Sequence, residues 1–174
     1  MRFSNSHRAK SNWGWALLFL LCSQPLLALE SDKDQPINIE ADSVEIDDAK
    51  KRSIYKGNVI LTQGSIRITA DSVAITQKNG TADHVLATGN PVTFRQKGEK
   101  AAENINAEAK KAEYQAKDDT LILQGSAELI QGKDVFKSDR IVYDRTKSVV
   151  KAGTSAKGTG RVRATIHQSK DDDK

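Results

Sequence analysis

Ile39–Ile46 (IEADSVEI) and Ile68–Ile75 (ITADSVAI) are two copies of one motif, and this motif decides the fold. Weaker copies begin at Ala107 (AEAKKAEY) and at Phe136 (FKSDRIVY). The motif therefore returns at intervals of roughly 30 to 40 residues, which is the range of known internal repeats. A repeat of this kind indicates that each copy is one structural unit stacked against the next.

Within the motif, apolar and polar residues alternate, and the alternation changes phase once. Ile39 and Ala41 occupy one phase, whereas Val44 and Ile46 occupy the other. Because successive residues of a strand point to opposite faces, the change predicts a bend or bulge that lets both halves face inward. Aspartate favours bends because its side chain hydrogen-bonds nearby backbone. An aspartate stands at the change of phase in three copies: Asp42, Asp71 and Asp139.

A glycine recurs between the copies of the motif. It appears in YKGNVILTQG, ATGNPVTF, LQGSAELIQG and KAGTSAKG as Gly57, Gly89, Gly125 and Gly153. Glycine inside a strand marks a bulge, a kink or a close approach of backbone, and Pro91 predicts a local irregularity in the second of these segments. The whole pattern predicts an all-β fold, an elongated β-jellyroll or solenoid-like stack of antiparallel strands with one apolar face.

The segment 99–117 (EKAAENINAEAKKAEYQAK) is the one long stretch of helix-forming composition. Its alanines fit strand alternation about as well as a helical stripe. We interpret it as a pair of strands at an edge of the sheet, or as a loop in the middle of the fold.

The N-terminus has the three parts of a secretory signal peptide. Residues 1–10 are basic without an acid, 13–22 (WGWALLFLLC) are apolar, and Ala28 precedes an acidic and polar segment. We expect cleavage between Ala28 and Leu29 and export of the chain. The first alternative is a transmembrane anchor, for which the apolar run is short, or a buried helix. The second is a lipoprotein attached through Cys22, where Leu21 replaces the small residue that lipid attachment favours.

Cleavage would change the charge of the protein. The full chain of 174 residues has a formal net charge of +4, with 27 bases and 23 acids. Losing Arg2, Arg8 and Lys10 leaves 24 bases against 23 acids. A nucleic-acid-binding domain would show a clustered basic face, so we expect no nucleic acid as partner. We divide the chain into a signal peptide (1–28), one β-domain (29–153) and a polar, disordered tail (154–174).

Catalytic and metal-binding patterns are weak in this sequence. Neither His84 nor His167 has a serine or an acid near it in a recognisable arrangement. The stretch 153–160 (GTSAKGTG) resembles a phosphate-binding loop, but Thr159 stands where that loop needs lysine. The three repeat aspartates lack the glycine-rich nonapeptide of calcium-binding repeats. We therefore expect no enzyme activity, no metal and no cofactor.

The two phases of the strands predict an inner and an outer face. Glu40, Arg67 and Lys137 belong to the outer, solvated phase. The inner phase is nearly all aliphatic, and the pattern leaves open whether it forms a solid core, as in a structural or adhesive β-solenoid, or a groove for alkyl chains. The inner residues are Ile37, Ile39, Val44, Ile46, Tyr55, Val59, Leu61, Ile68, Val73, Ile75, Val92, Phe94, Tyr114, Leu121, Leu123, Leu129, Phe136, Ile141 and Tyr143.

Several segments, in order, resemble the OstA-like family of periplasmic lipopolysaccharide export proteins. They are 35–47 (QPINIEADSVEID), 55–73 (YKGNVILTQGSIRITADSV), 89–94 (GNPVTF) and 137–144 (KSDRIVYD). The resemblance departs at Lys110 and Lys111, where the other copies of the motif have an aspartate and a small or basic residue, and it fades after Gly153.

The resemblance implies a twisted, V-shaped β-jellyroll in the periplasm that carries lipopolysaccharide by its lipid A moiety. It implies that the inner residues line the lipid groove. It also implies head-to-tail self-association, an inner-membrane-anchored partner of the same fold at the N-terminal edge, and an outer-membrane translocon at the C-terminal edge. We expect the N-terminal edge near 35–39, and the C-terminal edge either near 140–143 or near 148–151.

Overall fold

The computed structural model describes residues 32–98, 100–153 and 160–167. The expected cleavage site at Ala28 and Leu29, and most of the expected tail, lie outside these residues. Within these residues, three single-turn 3-10 helices occur at Asp32–Asp34, Ala101–Glu103 and Ala116–Asp118. The strands are β1 (Ile37–Glu40), β2 (Ser43–Asp47), β3 (Arg52–Gln63), β4 (Ile66–Lys78), β5 (Thr81–Gln96), β6 (Ile105–Gln115), β7 (Thr120–Gln131), β8 (Asp134–Asp144), β9 (Val149–Ala152) and β10 (Arg163–Thr165).

All ten strands belong to one antiparallel sheet that does not close on itself. The order is β1-β3-β4-β5-β6-β7-β8-β10, with β2 also on β3 and β9 also on β8. The outermost position at each end of the sheet is therefore shared by two short strands, β1 and β2 at one end and β9 and β10 at the other. We call the outer side of β1 and β2 the N-terminal edge, and the outer side of β9 and β10 the C-terminal edge.

A line of bends crosses the sheet at the level of the motif's change of phase. The pairing register shifts in each central strand pair, for example between Lys56 and Val59 where β3 meets β4. The same shift occurs where β6 meets β7, between Glu108 and Lys111, and where β7 meets β8. The predicted bend is thus confirmed, and the line divides the sheet into two halves that each long strand crosses. We call the half that contains β1, with Ile68 and Phe94 in its rows, the first half, and the half that contains β2, with Val85 and Tyr114, the second half.

The recurrent glycine and aspartate meet at this line. The backbone N–H of Asp42 donates to the carbonyl of Gly57 at 3.0 Å, and the Asn58 side-chain amide donates to Asp42 Oδ2 at 2.9 Å. Gly57 has φ +78°, and a Cβ there would overlap the Asp42 carboxylate. A Cβ on Gly89 would lie 3.2 Å from the backbone nitrogen of Asp71. Glycine is therefore required both for its backbone conformation and for close approach.

The inner faces of the two halves pack against each other in one hydrophobic core. Cross-strand neighbours place inner residues in continuous rows, such as the row from Ile39 through Leu61, Ile68 and Phe94. Outer residues such as Arg67 and Lys137 are exposed. Such rows form because side chains alternate between the two faces of each strand, and because each strand is paired with its antiparallel neighbour on either side of the bend.

The prediction for the segment 99–117 was wrong. Its main part is the single strand β6, which lies in the centre of the sheet between β5 and β7. Ala107, Ala109 and Ala112 are 2–4% exposed on the inner face. Pairing on both sides and burial of this face outweigh the helix propensity of alanine and lysine.

The C-terminal edge lies beyond β8. Ile141 is 0% exposed, and β9 covers that part of β8, so the edge is not at 140–143 but on β9, the second of the expected positions. Residues 163–165 pair with Val135–Lys137 as β10, although this part of the tail was expected to be disordered. Apolar residues alternate with Arg161 and Arg163 there, which suits a strand with one inner face.

Candidate functional site

An open cavity of about 570 Å³ lies between the two halves. First-half side chains such as Ile68 and Phe94 line it together with second-half side chains such as Val85 and Tyr114. Polar groups stand where strands end, with Gln63 as the last residue of β3. The cavity is therefore an apolar space between two sheet layers with polar groups at its rim.

Nine of the nineteen predicted groove residues line this cavity. They are Ile37, Ile39, Tyr55, Leu61, Ile68, Ile75, Phe94, Tyr114 and Leu121. Eight others pack in the core without lining it: Val59, Val73, Val92, Leu123, Leu129, Phe136, Ile141 and Tyr143. The sequence pattern identified the face of each of these residues, but it did not distinguish closed core from open cavity.

Val44 and Ile46 differ from both groups. They continue inner rows, since Val44 pairs with Tyr55 and Ile46 with Ser53. They are nevertheless 54% and 64% exposed. The reason is their place on β2, which has a neighbouring strand on one side and an open edge on the other.

Small side chains accompany the closed part of the core. Four alanines on β6 and β7 are 2–4% exposed: Ala107, Ala109, Ala112 and Ala127. They occupy little volume, so the layers can approach closely and large residues such as Leu123 and Leu129 are covered completely. The cavity lies instead mainly on the side of β1, β3, β4 and β5, where the inner side chains are longer.

A polar cluster of Tyr114, Asp119 and Arg145 lies at one end of the cavity. Arg145 Nη1 donates to Asp119 Oδ1 at 3.0 Å, and the Tyr114 hydroxyl donates to the same oxygen at 3.0 Å. The Arg145 guanidinium also lies 5.6 Å from the centre of the Tyr114 ring. Burial, followed by the negative charge of Asp119, raises the pKa of Tyr114 to about 12. The cluster has no net charge, which suits a site beside an apolar space.

A second polar group lies on the outer face of the same strand. Glu113 accepts a hydrogen bond from Gln115 at 3.0 Å, and it lies 3.1 Å from His84 Nε2 and 3.4 Å from Lys111 Nζ. The Gln115 and His84 hydrogen bonds lower the pKa of Glu113 to about 2. Glu113 therefore lies on the face opposite to its neighbour Tyr114, which lines the cavity.

The lining favours an alkyl ligand. Branched aliphatic and aromatic side chains give up no hydrogen bond when a hydrocarbon chain replaces water beside them. Across the part of the chain that the structure describes, no group of histidines, cysteines and acids could hold a metal ion. Among the same residues, no helix is long and apolar enough to cross a membrane.

Sequence reasoning missed several lining residues. Ile66 and Val85 line the cavity. Ile66 has the same phase as the predicted Ile68 and could have been identified from it. Val85 is out of phase with Phe94 because a register shift separates them, and its inner position follows from its pairing with Ile75 and Tyr114. Arg145 also lines the cavity, but it follows β8 in a turn, where alternation gives no signal.

Comparison with known proteins gives consistent matches. Residues 38–149 match the family described as LptA/(LptD N-terminal domain) LPS transport protein. The chain is 36% identical to the lipopolysaccharide export system protein LptA of Haemophilus influenzae over 156 residues, 86% of this chain and 88% of that one. It is 35% identical to the lipopolysaccharide export system protein LptH of Pseudomonas aeruginosa over 140 residues, 80% of each chain.

The fold also matches a solved structure. The crystal structure of the Pseudomonas aeruginosa LptH, titled the LptA-homologous periplasmic component of the lipopolysaccharide transport device, superposes with a TM-score of 0.73 at 32% identity. The match covers 80% of this chain and 100% of that chain. Both comparisons agree with an all-β, jellyroll-like sheet.

Proposed function

This chain belongs to the family of LptA and LptD N-terminal domain lipopolysaccharide transport proteins, and we propose from this premise that its cavity holds the acyl chains of lipopolysaccharide. It is a lipopolysaccharide export protein and not an enzyme, in agreement with the expectation from sequence. The observation that carries the proposed site is the apolar cavity between the two halves, lined from both.

Transfer energies explain why such a carrier is needed. Burial of one methylene is worth about 0.8 kcal/mol, so an acyl chain of about a dozen carbons costs on the order of 10 kcal/mol to hold in water. A lipid with several chains therefore requires an apolar path across the periplasm. A smooth lining of aliphatic side chains gives little preference for one position and so permits movement along the path.

The lipid site explains features that a solid-core structural solenoid leaves unexplained. A solid core has no need of an open space between its layers, whereas the side chains here leave about 570 Å³ accessible. The family also consists of transport proteins. A structural or adhesive β-solenoid is accordingly not favoured.

We propose that copies of the chain join head to tail through their sheet edges. Support comes from the two open edges, since unpaired strand edges readily add a further strand. The inner-membrane-anchored partner of the same fold would meet β1 and β2, and the outer-membrane translocon would meet β9 and β10. The family description, which includes an LptD N-terminal domain, supports partners of similar fold.

We propose a periplasmic location reached through cleavage between Ala28 and Leu29. The signal-like composition of residues 1–28 supports export. The intact mass of the exported protein is expected to correspond to a chain beginning at Leu29. A mass that includes the first 28 residues, or a lipid on Cys22, would contradict a soluble carrier.

Site-specific photo-crosslinking tests the proposed site. A photoreactive side chain at Tyr55 or Ile68 is expected to capture lipopolysaccharide, because both line the cavity. The matched neighbours Lys56 and Arg67, exposed on the same strands, are expected to capture little or none. Equal capture from both faces would show that the lipid does not bind preferentially to the inner face. If folded protein mixed with lipopolysaccharide shows no capture at Tyr55 or Ile68, a solid core is favoured.

A further inference from the structure

Large exposed hydrophobic side chains are concentrated at the two edges of the sheet. Six occur in the described part of the chain, and all lie on or directly beside the terminal strands β1, β2, β9 and β10. They are Ile37, Val44, Ile46, Val149, Val162 and Ile166. Exposed apolar residues on an unpaired strand favour the addition of another strand.

The two edges carry opposite charge. The N-terminal edge, residues 37–47 (INIEADSVEID), contains four acids and no base. The strands of the C-terminal edge and their flanks, residues 147–152 (KSVVKA) and 160–167 (GRVRATIH), contain four bases and no acid. One edge is therefore complementary in charge to the other, and neither is complementary to itself.

The strand directions of the two edges are compatible. β1 and β2 run from the first half to the second half of the sheet, whereas β9 and β10 run from the second half to the first. A second copy placed with its N-terminal edge against the C-terminal edge would continue the antiparallel sheet. In this arrangement β1 of the second copy would lie beside β10 of the first, and β2 beside β9. The inner faces of both copies would then lie on the same side of the continued sheet.

The rows of cross-strand neighbours fix which residues would meet. On the outer face, one row begins at Glu40 on β1 and passes through each strand to Lys137 and then Arg163 on β10. A second outer row begins at Glu45 on β2 and ends at Lys151 on β9. Both of these rows thus begin with an acid and end with a base, whereas the outer row from Asn38 ends at Thr165 and the one from Asp47 ends at Val149.

Two inner rows likewise run from one edge to the other, and both begin and end with apolar residues. One begins at Ile39 and ends at Ala164, and another begins at Ile46 and ends at Val150. If a second copy continues these rows, its Ile39 lies opposite Ala164 and its Ile46 opposite Val150. Apolar residues therefore meet apolar residues on the inner face, and the cavity face would run on from one copy to the next.

We propose that two cross-strand ion pairs, Glu40 with Arg163 and Glu45 with Lys151 of the next copy, set the register and the polarity of the contact between copies. This inference rests on the proposed head-to-tail assembly and names the residues that direct it. Opposite charges across neighbouring strands stabilise pairing, and like charges directly opposite each other destabilise it. Two N-terminal edges, or two C-terminal edges, would bring like charges together.

The register carries a functional consequence. A slip of one residue would turn the inner row of one copy to the outer face of the next. The apolar path would then be interrupted at the junction. The two ion pairs oppose such a slip because it would move Glu40 and Glu45 away from their basic partners.

Charge-reversal variants of the full exported chain test the proposal. Glu40→Arg with Glu45→Lys places a base at both ends of each of the two outer rows, and Lys151→Glu with Arg163→Glu places an acid at both ends. All four residues are exposed, so we expect both variants to fold. We expect each variant alone to self-associate at least about tenfold more weakly than wild type at low ionic strength, as measured by sedimentation and light scattering.

An equimolar mixture of the two variants is the decisive sample. At every junction between the two variants, basic row ends then meet acidic row ends, and we expect assemblies larger than dimers to return. Growth that stops at dimers would mean that the reversed pairs do not replace the native pairs, and it would overturn the proposal. A charge-reversal control away from the edges, Lys56→Glu with Arg67→Glu, is expected to leave association unchanged.

Two further outcomes separate this inference from the proposed function. If the wild-type protein associates and the charge reversals do not weaken its association, the proposed ion pairs are overturned but head-to-tail assembly is not. Wild type that stays monomeric at every concentration and low salt would overturn both the assembly and the ion pairs. Lipopolysaccharide capture at Tyr55 would still test the carrier function, because that side chain lies in the cavity of a single copy.

Discussion

Replacing Leu129 with alanine is expected to lower the free energy of unfolding by roughly 2–5 kcal/mol. Leu129 is 0% exposed on β7, where its inner-row neighbours are Ala107 on β6 and Phe136 on β8. The small Ala107 cannot expand into the space left by the lost side chain, so the variant would retain a void. Urea unfolding followed by circular dichroism measures the change.

The adjacent residue on the outer face provides the control. Ile130 is partly exposed on the same strand, and Ile130→Ala is expected to cost less than half as much, because fewer of its contacts are buried. Leu129→Ala is also expected to keep lipopolysaccharide capture at Tyr55, since Leu129 does not line the cavity. Equal losses of stability at the two positions would contradict the assignment of Leu129 to a closed core.

Replacing Tyr55 with glutamate is expected to reduce lipopolysaccharide binding about tenfold or more at neutral pH, a difference of about 1.4 kcal/mol per factor of ten. Tyr55 lines the cavity and is only partly buried, so the variant is expected to fold. An ionised carboxylate beside an acyl chain loses hydration without gaining a partner, which is unfavourable. Binding of purified lipopolysaccharide to the monomer, by titration, is the measurement.

Two variants separate charge from other effects. Tyr55→Gln removes the aromatic ring without adding charge and is expected to weaken binding less. Ile54→Glu adds the same charge on the outer face of β3 and is expected to leave binding unchanged. Binding to Tyr55→Glu is expected to recover on acidification, because the apolar surroundings raise the pKa of the new carboxyl and favour its neutral form. Equal weakening by Ile54→Glu would show that net charge, not the cavity, controls binding.

The alternation of residues in the repeat motif was sufficient to predict the strands and their bends. The change of phase between Ala41 and Val44 depends on neighbours a few residues away, so sequence alone reports it. The recurrent glycines and aspartates could be located in the same way. Their contact, in which Gly57 lies against Asp42, required the pairing of β2 with β3 and could be read only from the structure.

The sequence by itself determined the all-β class, the bend in each strand and the face on which each apolar side chain lies, because the two-residue period of a strand is a local property. Tertiary structure alone decided which inner residues close a core and which line a cavity. Leu129 and Tyr55 share the inner face, yet one is fully covered and the other borders open space. Exposure of an inner residue depends on how near the opposite layer lies, and that distance is set by side chains from strands far away in the sequence.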